Sequence, residues 1–319
     1  DRIDRHKPFN ILSIDGGGIL GLYSAEVLAL IEKELLKKNT TFPNKFNLIA
    51  GTSTGGIIAL ALALGYSPTE ISELYKIHGE KIFYKSYFNY LFKNWIFTNR
   101  YSSLSLQNAL IEFFGDKTVK DCKTNICIPA IDVSNCQPII FKTNHNGNLT
   151  RDIDVKLTDI ALATSAAPTY FPLHSFGYYR GLADGGLWQN NPALFAIIEA
   201  CTYFVGEEKE YDSINILSIG NPLSAIKETV SVETRKSGLI KWASKMVTMP
   251  MKISSFGVHN IINFLSRNDA LSIQNLPDKP ECKKLSLDSA NPKTYKLLSE
   301  LSFNDFTKNK ADIIKFFKE

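Results

Sequence analysis

The sequence contains no C-x-x-C pair. Its five cysteines, Cys122, Cys127, Cys136, Cys201 and Cys282, are odd in number and widely spaced. That argues against a zinc site and a disulfide framework, and for a reducing compartment. Charge of one sign is not in excess: 36 Lys and Arg stand against 32 Asp and Glu, a net +4. So thin a basic surplus excludes a dedicated binder of nucleic-acid polymers. No apolar run is long enough for a bilayer helix, because the most apolar stretch, Leu48 to Leu64, is broken by Gly51-Thr52-Ser53-Thr54-Gly55-Gly56. No secretory leader is recognisable, although a start at Asp1 leaves room for a trimmed segment. There is no internal repeat and no low-complexity tract. At 44 % hydrophobic and 21 % charged residues the chain is neither disordered nor a coiled-coil rod. Its 319 residues suffice to bury ~75 % of the unfolded surface.

What is present is an alternation of short apolar runs and helical spacings. Phe9 to Ile14 reads as a buried strand ending at Asp15-Gly16-Gly17-Gly18, and Ala25 to Lys37 as a helix. Phe46 to Ala50 reads as a second strand, followed by a second glycine turn and an almost wholly apolar helix, Ile57 to Leu64. Ile126 to Val133, Pro138 to Lys142 and Ile214 to Ile219 are further strands. Strand–turn–helix repeated in this way implies a mostly parallel sheet covered on both faces.

Three constellations carry chemistry. Gly51-Thr52-Ser53-Thr54-Gly55 is a G-x-S-x-G pentapeptide between a strand and a helix, the setting of a nucleophile elbow. Gly51 and Gly55 permit the tight turn, and Ser53 at its apex gains the field of the helix N-terminus. Asp15-Gly16-Gly17-Gly18 exposes successive backbone amides suited to a phosphate or to an oxyanion. Gly16, Gly18 and Gly21 also satisfy G-x-G-x-x-G, but the next strand ends Leu48-Ile49-Ala50-Gly51 without the ribose-binding carboxylate that a dinucleotide site needs. Asp184-Gly185-Gly186, by itself a common turn, matters because a serine nucleophile needs a base. None of the histidines His6, His78, His145, His174 and His259 lies in a glycine-rich or strand-end loop. A desolvated carboxylate serves instead when it reaches the hydroxyl.

These motifs, in this order, resemble the patatin-like phospholipases. Thr164-Ser165-Ala166-Ala167-Pro168-Thr169-Tyr170-Phe171-Pro172, Asn190-Asn191-Pro192 and Ile216-Leu217-Ser218-Ile219-Gly220 add to the match, which runs over roughly residues 8 to 222 and more faintly through Gly238 to Ala243. The resemblance implies a three-layer α/β/α catalytic core over 8–222 and a helical C-terminal extension over 223–319 packed on it. It implies hydrolysis of lipid acyl esters by a Ser53–Asp184 dyad, an oxyanion hole from the amides of Gly16, Gly17 and Gly18, and neither metal nor cofactor. One departure stands out: Leu20 occupies the position where the family carries Arg or Lys, which questions the efficiency of catalysis more than its type. Leu20→Arg is expected to raise turnover or leave it unchanged.

Within the family, the short spacers and the run Phe46 to Leu62 are most similar to bacterial effectors of cyclic-oligonucleotide anti-phage signalling. That implies a cyclic dinucleotide activator, membrane phospholipids as substrate, homo-oligomerisation on activation, and a cytoplasmic protein peripheral at the inner membrane when active. The alternatives are an ungated storage-type lipid acyl hydrolase, or a catalytically weak ligand-binding module. Two basic stretches without an acidic residue are candidate gating or lipid-facing elements. Lys81 to Tyr101 holds nine of the 36 aromatics with Lys85, Lys93 and Arg100; Thr234 to Asn268 holds all three methionines. Each reads equally as a core-covering helical segment with snorkelling lysines.

Overall fold

Strand β1 (Pro8–Ile14) is apolar on both sides because both of its faces are covered. Phe9 and Ile11 point into one core, Leu12 and Ile14 into the other. In the computed structural model, which describes residues 7–37, 45–84, 99–222, 245–265, 270–274, 282 and 285–317, β1 is central to an eight-stranded sheet. A 3-10 turn (Gly18–Leu20) leads into α1 (Gly21–Leu36), which begins ahead of the apolar spacing that marks it. Then come β2 (Leu48–Gly51), α2 (Thr54–Leu64), α3 (Pro68–Ile82) and α4 (Ser103–Phe114). β3 (Asn125–Asp132), β4 (Gln137–Lys142), α5 (Leu157–Thr164), β5 (His174–Phe176) and β6 (Tyr179–Asp184) follow. The short α6 (Gly186–Gln189), α7 (Ala193–Tyr203) and β7 (Ser213–Ile219) precede α8 (Lys245–Leu265), β8 (Ala270–Ile273) and α9 (Pro292–Phe316).

The strand order is β5-β6-β3-β2-β1-β7-β8, with β4 also paired to β3. From β3 to β8 the strands are parallel; β4 and β6 run against β3. The chain leaves β1 toward β2 on one side and returns to β7 on the other, so a crevice opens beyond the carboxyl ends of these strands. Helices α1, α2, α5 and α9 cover one face, while α7 and α8 cover the other around Ala193, Ala196, Val258 and Ile262. This is the three-layer arrangement expected.

The C-terminal part is helical, and it also supplies β8, whose Ala270–Ile273 pair with Ile216–Ile219 of β7. The tail is the single helix α9, capped by Asn291 Oδ1 accepting the Thr294 amide at 3.0 Å. It lays Leu298, Leu301, Phe306 and Ile313 into the core beside α1. Of the aromatic-rich stretch, Lys85, Tyr87, Phe88, Tyr90, Phe92, Lys93, Trp95 and Phe97 lie outside the described residues, as do residues 234–244 and 266–268 of the second basic stretch.

Candidate active site

Ser53 sits where β2 has ended and α2 begins, at φ 54° and ψ −125°. Few non-glycine residues adopt this left-handed backbone, and it lifts the side chain off the turn. The turn closes only because its neighbours lack Cβ atoms: one on Gly51 would strike the Gly55 carbonyl, and one on Gly55 the Ile14 carbonyl. The Ser53 amide donates to Thr164 Oγ1 at 3.0 Å, and that hydroxyl donates to the Pro129 carbonyl at 2.6 Å. Helix α5 and strand β3 therefore hold the apex in place.

Asp184 ends β6. Because β6 runs antiparallel to β3 and pairs Asp184 with Ala130, its carboxyl end reaches back to the end of the sheet where Ser53 lies. Ser53 Oγ donates to Asp184 Oδ2 at 2.6 Å, and the Gly186 amide donates to Oδ1 at 2.7 Å. Both side chains are buried. Removal from water pushes the Asp184 carboxyl up to about 7, against the pull of the hydrogen bonds from Ser53 and Gly186. A group poised there is half ionised at neutral pH, which suits proton transfer.

The glycine turn after β1 is clamped from behind. The Gly16 carbonyl accepts from Asn190 Nδ2 at 3.0 Å and from Asn221 Nδ2 at 2.9 Å. In a trans peptide the following N–H points the opposite way, so the Gly17 amide is turned away from both asparagines. The amides of Gly17 and Gly18 have no partner among the described residues. The Gly16 amide does, donating to the Asn190 carbonyl at 3.1 Å, so it is already committed and two of the three expected donors remain. Gly18, at φ +57°, lies against the Leu287 carbonyl with no space for a Cβ.

Leu20 requires a correction. It is fully buried in the main core, and its amide donates to the Gly17 carbonyl at 3.1 Å. A cation there would be desolvated, so Leu20→Arg is not a neutral restoration of the family residue. Asp15, read only as the start of the glycine run, is also buried, with Oδ1 unpartnered among the described residues. Burial pushes its carboxyl up to about 8, against a hydrogen bond from Ser255.

Sequence reasoning named Asn190 and Thr164 only within motifs and did not reach Asn221, Ser254 or Ser255. Their signal, buried side-chain amides and hydroxyls facing a glycine turn, exists only once the strands are aligned. His145 is bound to Glu199, His174 to Asp159 and His259 to Ser272. None lines the cavity on which Ser53 and Asp184 open. That cavity is walled by Ile57, Leu74, Leu106, Leu110, Phe171 and Met251, mainly from α2, α3, α4 and α8. Its apolar lining suits an acyl arm. Among the described residues no His/Cys/Asp/Glu cluster suits a metal, and no helix is long and apolar enough to cross a membrane.

Comparison with known proteins makes this a lipid-hydrolysing esterase. The family model described as patatin-like phospholipase matches residues 12–197, and the chain belongs to that family. It is 32 % identical to a cGAMP-activated phospholipase of Vibrio cholerae, over 97 % of this chain and 94 % of that protein. A protein of the same name from Pseudomonas aeruginosa is 30 % identical over 97 % and 95 %. Patatin-like protein 2 of Arabidopsis thaliana is 32 % identical over 76 % of this chain and 67 % of its own length.

Proposed function

We propose that this protein is a cyclic-dinucleotide-activated phospholipase that cleaves acyl esters of membrane phospholipids with Ser53 as nucleophile and Asp184 as base. The observation that carries the reading is the 2.6 Å hydrogen bond from Ser53 Oγ to Asp184 Oδ2 at the wall of the apolar cavity. Asp184 takes the hydroxyl proton as Oγ attacks the ester carbonyl. The Gly17 and Gly18 amides meet the negative charge that forms on the carbonyl oxygen. Collapse breaks the ester bond, and the departing lysophospholipid oxygen takes the proton from Asp184. A water molecule then gives its proton to Asp184 as it attacks the acyl-serine. The fatty acid leaves as the serine oxygen is reprotonated.

Activation is supported by the near full-length likeness to two phospholipases whose names state activation by cGAMP. A ligand raises activity only by binding the active form more tightly, and a shift from 1:99 to 99:1 needs ~5.5 kcal/mol of preference. The proposal places the protein in the cytoplasm, at the inner membrane when active, with activation accompanied by homo-oligomerisation. The test is mass spectrometry of phospholipid vesicles incubated with the protein, with and without cyclic GMP–AMP. Fatty acid and lysophospholipid should appear with the nucleotide and not with Ser53→Ala or Asp184→Asn, each about 10³-fold or more slower. Full activity without nucleotide would leave an ungated lipid acyl hydrolase. No activity in either case would leave a binding module.

A further inference from the structure

A run of glycines supplies unshielded amides, but it does not hold them in place. The Gly16–Gly17 peptide has no Cβ on either side, so its plane can turn over at little steric cost. Turned over, it would set the Gly16 carbonyl where the Gly17 amide belongs, an acceptor in place of a donor. Asn190 prevents this by gripping Gly16 at both of its polar groups. The Gly16 amide donates to the Asn190 carbonyl at 3.1 Å, and Asn190 Nδ2 donates to the Gly16 carbonyl at 3.0 Å. Asn221 Nδ2 holds the same carbonyl at 2.9 Å.

Asn190 is in turn held by the inner face of α8. Its backbone amide donates to Ser254 Oγ at 3.0 Å, and Ser254 Oγ donates to the Trp188 carbonyl at 3.2 Å. Asn190 Nδ2 also donates to Ser255 Oγ at 2.8 Å. Ser255 is buried, and its hydroxyl proton goes to the Asp15 carboxyl, which leaves the oxygen lone pairs to face Asn190. Met251 stands one turn earlier on the same face of α8, and a Cβ on Gly186 would strike its methyl group. The segment from Asp184 to Asn190 thus carries the base at one end and the grip on the glycine turn at the other. One face of α8 lies against both ends. Such a tether governs turnover rather than binding. The acyl arm is held by the apolar walls, whereas the Gly17 amide meets charge only in the transition state.

We propose that Ser254 and Ser255 of α8 are positioning residues for the oxyanion hole, acting through Asn190 to keep the Gly16–Gly17 peptide turned so that the Gly17 amide meets the ester oxygen. The proposal rests on the reading that the Gly17 and Gly18 amides receive that oxygen, so its test probes the hole directly. The probe is a short-chain trifluoromethyl ketone. Ser53 Oγ adds to its carbonyl carbon, the hydroxyl proton passes to Asp184, and the carbonyl electron pair moves onto oxygen, as in the acyl-transfer intermediate. The matching methyl ketone, which is not activated, reads binding of the acyl arm alone. The full chain, with cyclic GMP–AMP present, is compared with Ser255→Ala, the Ser254→Ala/Ser255→Ala pair and Asn190→Asp, with kcat and KM measured on a short-chain soluble ester. Ser255→Ala should lower kcat about tenfold and weaken the fluoroketone by the same factor, with KM and methyl ketone affinity unchanged. Asn190→Asp, which puts an acceptor where Nδ2 donates, should lose on the order of 10²- to 10³-fold in both. Should Asn190→Asp fail to fold, Ser255→Ala and the serine pair, which remove only hydroxyls, still decide the matter. Fluoroketone affinity unchanged in the serine variants, or losses shared equally by KM and the methyl ketone, would overturn the proposal. Gly17→Ala separates it from the reading on which it rests. Loss of fluoroketone affinity there, but in none of the α8 and Asn190 variants, sinks this proposal alone; no loss in any variant sinks the oxyanion hole as well.

Discussion

Leu287 accepts the backbone amide of Ile19 on its carbonyl oxygen at 2.9 Å. A residue from near the C-terminus thus forms the outer wall of the glycine turn near the N-terminus. Its neighbour Asp288 fixes that wall. Asp288 accepts from Tyr101 Oη at 2.7 Å, from Arg100 Nη1 at 2.9 Å and from Ser286 Oγ at 2.8 Å. Burial would raise its pKa, yet these bonds hold the carboxyl below the usual carboxylate range. Residues 100 and 101 are in turn tied by their amides to the carbonyls of Thr169 and Tyr170, beside the cavity.

Asp288→Asn should therefore lower turnover by roughly tenfold with little change in KM, because the charge-assisted bond to Arg100 weakens while the cavity keeps its shape. Arg100→Ala should have a similar effect, and the double variant should lose less than the sum. Steady-state kinetics on a short-chain ester reads both. Strictly additive losses would show that the two side chains do not act together.

Turnover should depend on pH through Asp184. Its carboxyl, pushed up to about 7, acts as a base only when ionised. kcat/KM should rise with pH and level off above an inflection near 7, and the acid limb should vanish in the residual activity of Asp184→Asn. A pH–rate profile between about 5 and 9 checks this; an inflection near 4 would mean the carboxyl is solvated in the working enzyme.

Stability should run the other way. Asp15 is pushed up to about 8 from an ordinary 3.8, so between these values the folded state holds a proton that the unfolded state has released. Stability is then full below about 4 and falls as pH rises through 8. Asp15→Asn should melt higher than the parent at pH 8, with the difference closing toward pH 4, in thermal melts across that range.

Gly17→Ala is expected to lower turnover more than substrate binding. A Cβ there would crowd the Asn221 side-chain amide, which holds the Gly16 carbonyl, and so turn the Gly17 amide out of line. The charge it meets exists only in the transition state, so kcat should fall on the order of 10- to 100-fold while KM stays. Equal loss in both would place Gly17 in substrate binding.

Leu20→Arg should destabilise the fold by several kcal/mol, since the side chain is fully buried among apolar neighbours. Leu20→Met, close in volume, should cost less than about 1.5 kcal/mol. Denaturant titration separates the two. A stable, active Leu20→Arg would mean that the charge reaches solvent along α1.

The elements whose order was legible in the sequence are those whose signal is local. β1, β2, β7 and α2 appear as runs of apolar residues ended by glycine, because strands buried on both faces and a helix buried all round must be apolar throughout, and β3 and β4 appear as shorter apolar runs. Ser53 was likewise legible, since a turn this tight demands Gly51 and Gly55 within two residues of it. Asp184 was found through its motif, but its contact with Ser53 spans 131 positions and exists only because β6 turns back antiparallel on β3. The raised proton affinity of Asp184 and Asp15 comes from the layers closing over them, which no local pattern records. The same holds for Leu20, whose letter showed a missing cation and whose burial showed why none fits. Spacing along the chain determined where the turns lie; packing in three dimensions decided which groups lose water, and the loss of water sets their chemistry.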